Sequence, residues 1–326
     1  MSTRSQARPL LSVVTPLYNC LPLTRAMVES LRATVPPWVT YEIILVDDGS
    51  TDGTREWLAG LGEPFRVVLN ERNLGFGGAT NRGAELARGR VLALLNNDLV
   101  LQPGWFGPML WALRLLGWRA GLVGNIQLDA ATGEVDHAGI VLDEKCKPTH
   151  ERREPGPASL ALRPIRGVFA LTGACLLVRA STWRRLGGFD EAFFNGCEDI
   201  DFCLRAREAG LVNVIAMRSR VLHHVSASPG RKRRDEENTM RLVLRWSHRI
   251  AEYACRDRES RELAWEYFWG AIPEPRDIPE AAEVARAALF WLGLTKAPPR
   301  VSLKPKNDII DLELARWREM FSHQPW

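Results

Sequence analysis

The chain has 326 residues, of which 46% are hydrophobic and 25% charged, a balance that fits a globular protein and excludes a disordered or low-complexity one. Its formal charge of +4 argues neither for nor against nucleic acid. No apolar run reaches the ~20 residues of a membrane span. Met1 to Pro9 lacks the apolar core of a secretory signal. The six cysteines form no CxxC pair, so a cytoplasmic protein with reduced thiols is expected.

Leu10 to Pro16 is a β-rich apolar run and the first expected strand. Leu21 to Thr34 has helical spacing, and Pro36 and Pro37 end it. Tyr41 to Val46 is a second strand that closes on Asp47-Asp48-Gly49-Ser50. Thr51 to Leu61 reads as a helix with Ser50 or Thr51 as N-cap and Asp52 near its positive end. Phe65 to Leu69 is a third strand, Asn70 to Gly78 a turn-rich loop and Ala79 to Ala87 a helix. Val91 to Leu95 is a fourth strand, buried on both faces as in a parallel sheet covered by helices. This alternation predicts a doubly wound parallel sheet.

Trp105 to Trp118 is an aromatic-rich helix and Gly121 to Ile126 another strand. Residues 129 to 166 are turn-rich, with β-like stretches around Val141 and Ile165. Phe169 to Arg179 reads as a strand, and Ser181 to Leu186 and Ile200 to Glu208 as helices, the latter stopped by Gly210. Val212 to Ala216 and Arg220 to His223 are short strands, and Ser226 to Glu237 is a polar loop. From Thr239 the pattern is helical, broken by prolines at 273 to 279 and 298 to 299.

Four places carry candidate chemistry. The fourth strand ends in Asn96-Asn97-Asp98, where open α/β sheets bind ligands. Oxygen donors grouped there suit a hard divalent cation shared with substrate phosphates. A turn and a helix cap explain Gly49, Ser50 and Asp52 but not adjacent Asp47 and Asp48, either of which could accept from a base N–H or a ribose hydroxyl. The loop from Asn70 to Gly83 suggests a dinucleotide fingerprint, but Gly75, Gly77 and Gly78 do not give G-x-G-x-x-G, and the loop follows the third strand rather than the first. Its glycines still permit close backbone approach, and its helix start favours an anion, with Arg72 as a phosphate partner or a solvated surface residue.

The densest cluster runs from Gly187 to Asp201, with five carboxylates in twelve residues interleaved with Phe189, Phe193 and Phe194. Apolar packing beside Glu198 or Asp199 would raise a carboxylate toward general-base duty. Asp201 caps a helix or pairs with Arg205 one turn on. His223 and His224 end an apolar stretch; neighbours on a strand face opposite ways, so at most one enters a site, as a metal ligand or a structural group. Arg231 to Arg234 is either a solvated loop or a basic lid for a diphosphate or an anionic lipid head group.

Taken in order, these segments resemble the family-2 glycosyltransferases. The likeness runs from Ser12–Asn19 through Ile44–Thr54, Asn73–Asn81, Leu94–Asp98, Thr172–Arg179, Gly187–Asp190 and Glu198–Arg205 to His223–Ser228. The Asn-Asn-Asp and His-x-Val-Ser-x-Ser variants look most like bacterial rhamnosyltransferases and related polysaccharide enzymes. The resemblance implies an α/β GT-A fold over residues 1–238, with a nucleotide-sugar half of about 10–127 and an acceptor half of about 128–238, then a helical extension over 239–326. It also implies inverting transfer from a nucleotide-diphosphate sugar, dTDP-rhamnose first and a UDP-sugar second. The acceptor would be a glycan, a lipid-linked glycan or a protein, with no nucleic acid as partner.

Carried onto this chain, Pro16, Tyr18, Asn19, Asp47 and Asp48 would surround the nucleoside. Arg72, Asn73, Gly75, Asn81, Asn96 and Asn97 would complete the nucleotide-sugar site. Asp98 and His223 would hold Mg²⁺ or Mn²⁺. Asp199 would be the catalytic base with Glu198 the close alternative, and Trp183, Gly188, Phe189 and Asp201 would line the acceptor side or pack in the core. The resemblance places the enzyme in the cytoplasm, with a peripheral position on the inner face of the membrane as a variant. Asn96, where the usual acidic metal motif begins, leaves a rival: a GT-A module that binds a nucleotide sugar without transferring it. A nucleotidyltransferase would instead carry a glycine-rich basic loop after the first strand, which Leu17-Tyr18-Asn19-Cys20 is not.

Overall fold

The computed structural model describes residues 8–143, 145–152, 164–224, 234–254 and 304–321. Its first strands and helices are β1 (Leu11–Leu17), α1 (Leu21–Thr34), β2 (Tyr41–Asp47), α2 (Thr54–Ala59), β3 (Phe65–Leu69) and α3 (Gly75–Glu85). β4 (Val91–Leu95), β5 (Leu99–Leu101), α4 (Phe106–Leu115) and β6 (Ala120–Asp129) follow. Short strands β7 (Val135–His137), β8 (Ile140–Leu142), β9 (Pro148–His150) and β10 (Ile165–Gly167) lead to β11 (Cys175–Arg179), α5 (Ala180–Leu186), α6 (Glu198–Glu208) and β12 (Val212–His223). α7 (Asp235–Ala254) and α8 (Lys304–Met320) complete the described chain.

The main sheet has the order β10-β12-β6-β11-β4-β1-β2-β3, with β5 against β12 and β7 against β6. β1 to β4 are parallel, β11 runs antiparallel between β4 and β6, and β12 is parallel to β6. The chain steps from β1 to β2 and β3 on one side, then returns to β4 on the other side of β1. Ligands of open α/β sheets bind at such a reversal, beyond the carboxyl ends of the strands.

Alternation along the strands explains the layers. Leu11, Val13, Leu17, Ile43, Leu45, Ala93 and Leu95 face the main core, which also takes Met27, Val28 and Leu31 of α1 and Phe106, Met109 and Leu113 of α4. The opposite face carries Val14, Ile44 and Val46 toward α3. There Gly83 lets the helix close on the sheet, since a Cβ would lie 2.5 Å from Val14 Cγ1. Near the base of β1, the buried Glu42 carboxylate accepts from Ser12 Oγ (2.6 Å) and from both the backbone N–H (2.7 Å) and Nε (2.9 Å) of Arg88.

The chain divides into two compact units, Met1–Val141 with His150–Asn238, and Leu142–Thr149 with Thr239–Trp326. In the second, Trp317 is buried, and Lys147 lies over its ring and 3.4 Å from Glu313 Oε2. Residues 225–233 and 255–303 lie outside the described residues, and with them most of the basic stretch at 231–234 and the apolar segment 287–294. None of the described cysteines is in a disulfide, and no described helix is long and apolar enough to cross a membrane.

Several boundaries differ from the sequence reading for physical reasons. α3 begins at Gly75, not Ala79, because Asp48 accepts the N–H groups of Leu74 and Gly75 and fixes the helix start. The cap of α2 moves to Gly53, while Asp52 accepts from Thr54 N–H and Thr54 Oγ1. Phe169 to Ala174 is not part of a strand; β11 starts at Cys175. The two expected strands at 212–216 and 220–223 are one strand with an irregularity between Ala216 and Arg220.

Candidate active site

Three loops meet beyond the carboxyl ends of β1, β2 and β4. The loop after β1 is held by Asn19, whose N–H donates to Ser50 Oγ and whose Oδ1 accepts from Thr51 N–H, both at 2.8 Å. Leu21 N–H donates to Asp52 Oδ2 at 2.9 Å. Asn97 reaches the same loop from β4, donating to Thr24 Oγ1 (3.0 Å) and to the Asn19 carbonyl. Tyr18, 42% exposed, stands at its rim beside part-buried Pro16.

Asp47 and Asp48 do not offer open carboxylates. Asp47 is fully buried, takes Arg55 Nε at 2.7 Å and accepts from Gly49 and Ser50 N–H. Asp48 accepts from Asn70 Nδ2 (2.8 Å), Leu74 N–H and Gly75 N–H (2.9 Å each). Burial, aided by the neighbouring Asp47 charge, raises the Asp48 carboxyl above its ordinary value despite those three donors. In this structure both side chains brace the walls of the cleft. Arg72 is exposed, and Asn73 Oδ1 caps Gly75 N–H at 2.9 Å. Gly75 itself is buried at a left-handed φ of 79°.

Asp98 lies just past β4 and His223 at the end of β12. Pairing of Leu99 with His223 in the β5–β12 ladder brings them together. Asp98 Oδ1 and His223 Nε2 are 3.3 Å apart, both residues are buried, and neither atom has a hydrogen-bond partner. Two buried polar atoms left unpaired at this distance suit the donor set of one shared cation. Asn96 Oδ1 is also buried without a partner. His224 is exposed, in line with the expectation that only one of the two histidines turns inward.

On the other flank, α6 presents Glu198 and Asp199 in its first turn. Asp199 is part-exposed, and its Oδ2 accepts the Gly173 N–H at 2.6 Å. Glu198 is buried, and its Oε2 accepts the Gly196 N–H at 2.7 Å. The turn before it carries left-handed Asn195 (φ 58°) and Cys197 (φ 70°). Asn195 Oδ1 also caps Phe76 N–H at 2.7 Å, which ties the α6 loop to the start of α3.

The four residues expected on the acceptor side are structural where the structure places them. Trp183 and Phe189 are buried in an aromatic cluster with Phe202, at ring separations of 4.9 and 5.6 Å. Gly188 has a left-handed φ of 71°, where a Cβ would lie 2.6 Å from Asn81 Oδ1. Asp201 is fully buried and takes Arg205 Nε at 2.7 Å, while Arg205 also donates to the Leu186 and Gly188 carbonyls. Asn81, expected at the nucleotide sugar, instead clasps this loop through the Phe189 N–H and carbonyl and through Glu191.

A group that sequence patterning did not single out stands behind His223. Asp136 Oδ2 is 3.8 Å from His223 Nδ1 and 3.6 Å from His150 Nδ1, and its Oδ1 is 3.2 Å from Arg152 Nη2. The neighbouring His150 imidazole leads the interactions that hold the Asp136 carboxyl below its ordinary value, with burial opposing it. His137 is buried, accepts from Thr172 N–H and stays neutral because burial lowers its pKa well below the usual value. The β6–β7 and β6–β12 pairings bring Asp136 and His223 together from distant parts of the chain, so no local spacing announces them.

A mixed sheet with helices on both faces and carboxylates at the strand ends is the architecture of the GT-A glycosyltransferases. The chain matches the solved structure of GalNAc-T7 with UDP, GalNAc and Mn²⁺ at a TM-score of 0.57 and 17% identity, covering 98% of this chain and 59% of that one. Residues 12–116 match the family described as Glycosyl transferase family 2. The N-acetylglucosaminyl-diphospho-decaprenol L-rhamnosyltransferase of Mycobacterium tuberculosis is 31% identical over 245 residues, 68% of this chain and 78% of that protein. The O-antigen biosynthesis protein RfbC of Myxococcus xanthus is 31% identical over 232 residues. The chain belongs to glycosyltransferase family 2, near its rhamnosyltransferase branch. It spans 25% and 18% of the length of two of its relatives.

Proposed function

We propose that this chain transfers a sugar from a nucleotide-diphosphate donor to an acceptor hydroxyl, with inversion at the anomeric carbon. The observation that carries this reading is the Asp98–His223 pair: two unpaired buried donor atoms, 3.3 Å apart, at the sheet's switch point. Asp98 and His223 would hold Mg²⁺ or Mn²⁺. When bound there, the ion supplies positive charge beside the diphosphate as negative charge grows on it.

The remaining roles fall to the protein's own groups. Asp199 is the base: its part-exposed carboxylate is oriented by the Gly173 N–H, whereas Glu198 is buried. As the acceptor oxygen bonds to the anomeric carbon, the bond from that carbon to the diphosphate oxygen breaks. The acceptor proton passes to the Asp199 carboxylate. Pro16, Tyr18, Asn19, Arg72 and Asn73 border the nucleotide, on loops that Asn97, Asp47 and Asp48 keep in place. Holding both substrates replaces a two-body encounter by a high effective molarity.

The name of the Mycobacterium tuberculosis relative supports L-rhamnose as the transferred sugar and a lipid-linked glycan as acceptor, with dTDP-rhamnose the first donor to test and UDP-sugars second. An acceptor of that kind would bring the protein to the cytoplasmic face of the membrane. A thermal-shift panel of dTDP-rhamnose and UDP-sugars with Mn²⁺, followed by product detection, tests the reading, because a ligand of the native state raises the melting temperature. One donor should stabilise the protein and be consumed. Stabilisation without turnover on any acceptor favours a module that only binds the donor, and no stabilisation by any nucleotide sugar removes the proposal.

A further inference from the structure

We propose that Asp136 is the positioning residue for His223: it accepts the Nδ1 proton and so keeps the Nε2 lone pair turned toward Asp98. The inference rests on the metal role assigned above to Asp98 and His223. A neutral imidazole carries one N–H and one lone pair. If Nε2 serves as a ligand, the proton sits on Nδ1. A buried N–H without an acceptor loses its water partner and gains nothing in return, so an acceptor facing it is favoured. His223 Nδ1 is buried with no hydrogen-bond partner, and Asp136 Oδ2, also buried and without one, faces it at 3.8 Å. Asp136 Oδ2 is the carboxylate oxygen that faces Nδ1, and it also faces His150 Nδ1 at 3.6 Å.

The surroundings fix Asp136 for this task. Arg152 lies 3.2 Å from its other oxygen, and His150 Nδ1 lies 3.6 Å from the same Oδ2, so the carboxylate is approached from three sides. β7, which carries Asp136, pairs with one edge of β6, and β12, which carries His223, pairs with the other. Asp136 is not placed to touch a diphosphate through Asp98; it acts through His223. Carboxylate–histidine–metal arrangements set the tautomer and orientation of the ligand, and losing the outer carboxylate typically costs about 10–100-fold in metal affinity.

Mn²⁺ binding to the full chain in the presence of UDP, read from the electron paramagnetic resonance signal of free Mn²⁺, tests this. Asp136→Ala should weaken Mn²⁺ by about 10–100-fold, and Asp136→Asn, which keeps an acceptor oxygen, should recover part of the loss. In a His223→Ala background, Asp136→Ala should cost nothing further, because its effect runs through the imidazole. A merely structural Asp136 would weaken both backgrounds alike, which overturns the inference. The ¹⁵N spectrum of wild-type protein with Mg²⁺ and UDP, assigned with His223→Ala, needs no Asp136 variant. An Nδ1–H tautomer is expected, and an Nε2–H tautomer overturns the inference. If His223→Ala weakens Mn²⁺ but Asp136→Ala does not, only the positioning role falls. If His223→Ala leaves Mn²⁺ unchanged, the metal reading falls first.

Discussion

Asp98 and His223 meet because β5 and β12 pair antiparallel with Leu99 opposite His223. That register puts His223 Nε2 3.3 Å from Asp98 Oδ1 and leaves His224 exposed. A slip of one residue would exchange the two histidines, since strand side chains alternate faces. The site is therefore a product of sheet register as much as of residue type.

Asp199→Asn removes the proposed base while keeping its shape and an acceptor for the Gly173 N–H. Transfer should fall by about 10²–10⁴-fold, the usual share of general-base catalysis. Donor affinity, measured by calorimetry, should stay within a few fold. Wild-type turnover in this variant would rule Asp199 out.

Gly173 admits Phe76 and Asp199 side by side. A Cβ there would lie 2.9 Å from Phe76 Cε1 and 3.4 Å from Asp199 Cβ. Gly173→Ala should lower stability by about 1–3 kcal/mol and should depress turnover more than donor binding. An unchanged rate would show that the Gly173–Asp199 contact does not set the base.

Gly83 is a packing glycine remote from the chemistry. Its Cβ would meet Val14 Cγ1 at 2.5 Å and Val46 Cγ2 at 2.8 Å, so the helix must move off the sheet. Urea unfolding of Gly83→Ala should show a loss of about 1–3 kcal/mol or more. Unchanged stability would contradict the packing described for α3.

Glu42 sets an acid limb. Burial pushes its carboxyl up, but the bonds from Ser12 and from Arg88 outweigh burial and hold it below its ordinary 4.5. A carboxyl lowered in the folded state contributes stability above its unfolded pKa and loses it as pH falls through the folded one. Glu42→Gln should therefore destabilise the protein near pH 7 and flatten the decline in melting temperature below pH 4.5. An acid limb identical to wild type would exclude Glu42 as a contributor.

Most of the fold can be read along the chain. β3 and β4 fall where apolar β-rich runs predict, and α1 spans the residues its spacing and prolines indicate. The misses involve partners distant in sequence. α3 starts early because Asp48 reaches across from β2, and β12 runs on between Ala216 and Arg220, where its pairing with β6 is interrupted and Met217 N–H donates to the Pro164 carbonyl. Asp98, Asp199 and His223 are proposed from the sequence because they fall at strand ends and a helix start, and the structure places them there. For Trp183, Phe189 and Asp201 the sequence allows either a ligand contact or a packing role; all three are buried, Asp201 against Arg205. Asp136 is illegible, since it gains His223 as a neighbour only through strand pairings distant in sequence, β7 and β12 each against β6.

The central claim is that Asp98 and His223 anchor a donor diphosphate through a divalent cation. Calorimetric titration of UDP and dTDP into the wild-type chain and into Asp98→Asn, with Mn²⁺ and then with EDTA, tests it most directly. Binding in Mn²⁺ should weaken at least about tenfold in EDTA, a difference of about 1.4 kcal/mol, and the Asp98→Asn variant should no longer respond to the metal. Equal affinity with and without Mn²⁺ in the wild-type protein would contradict it.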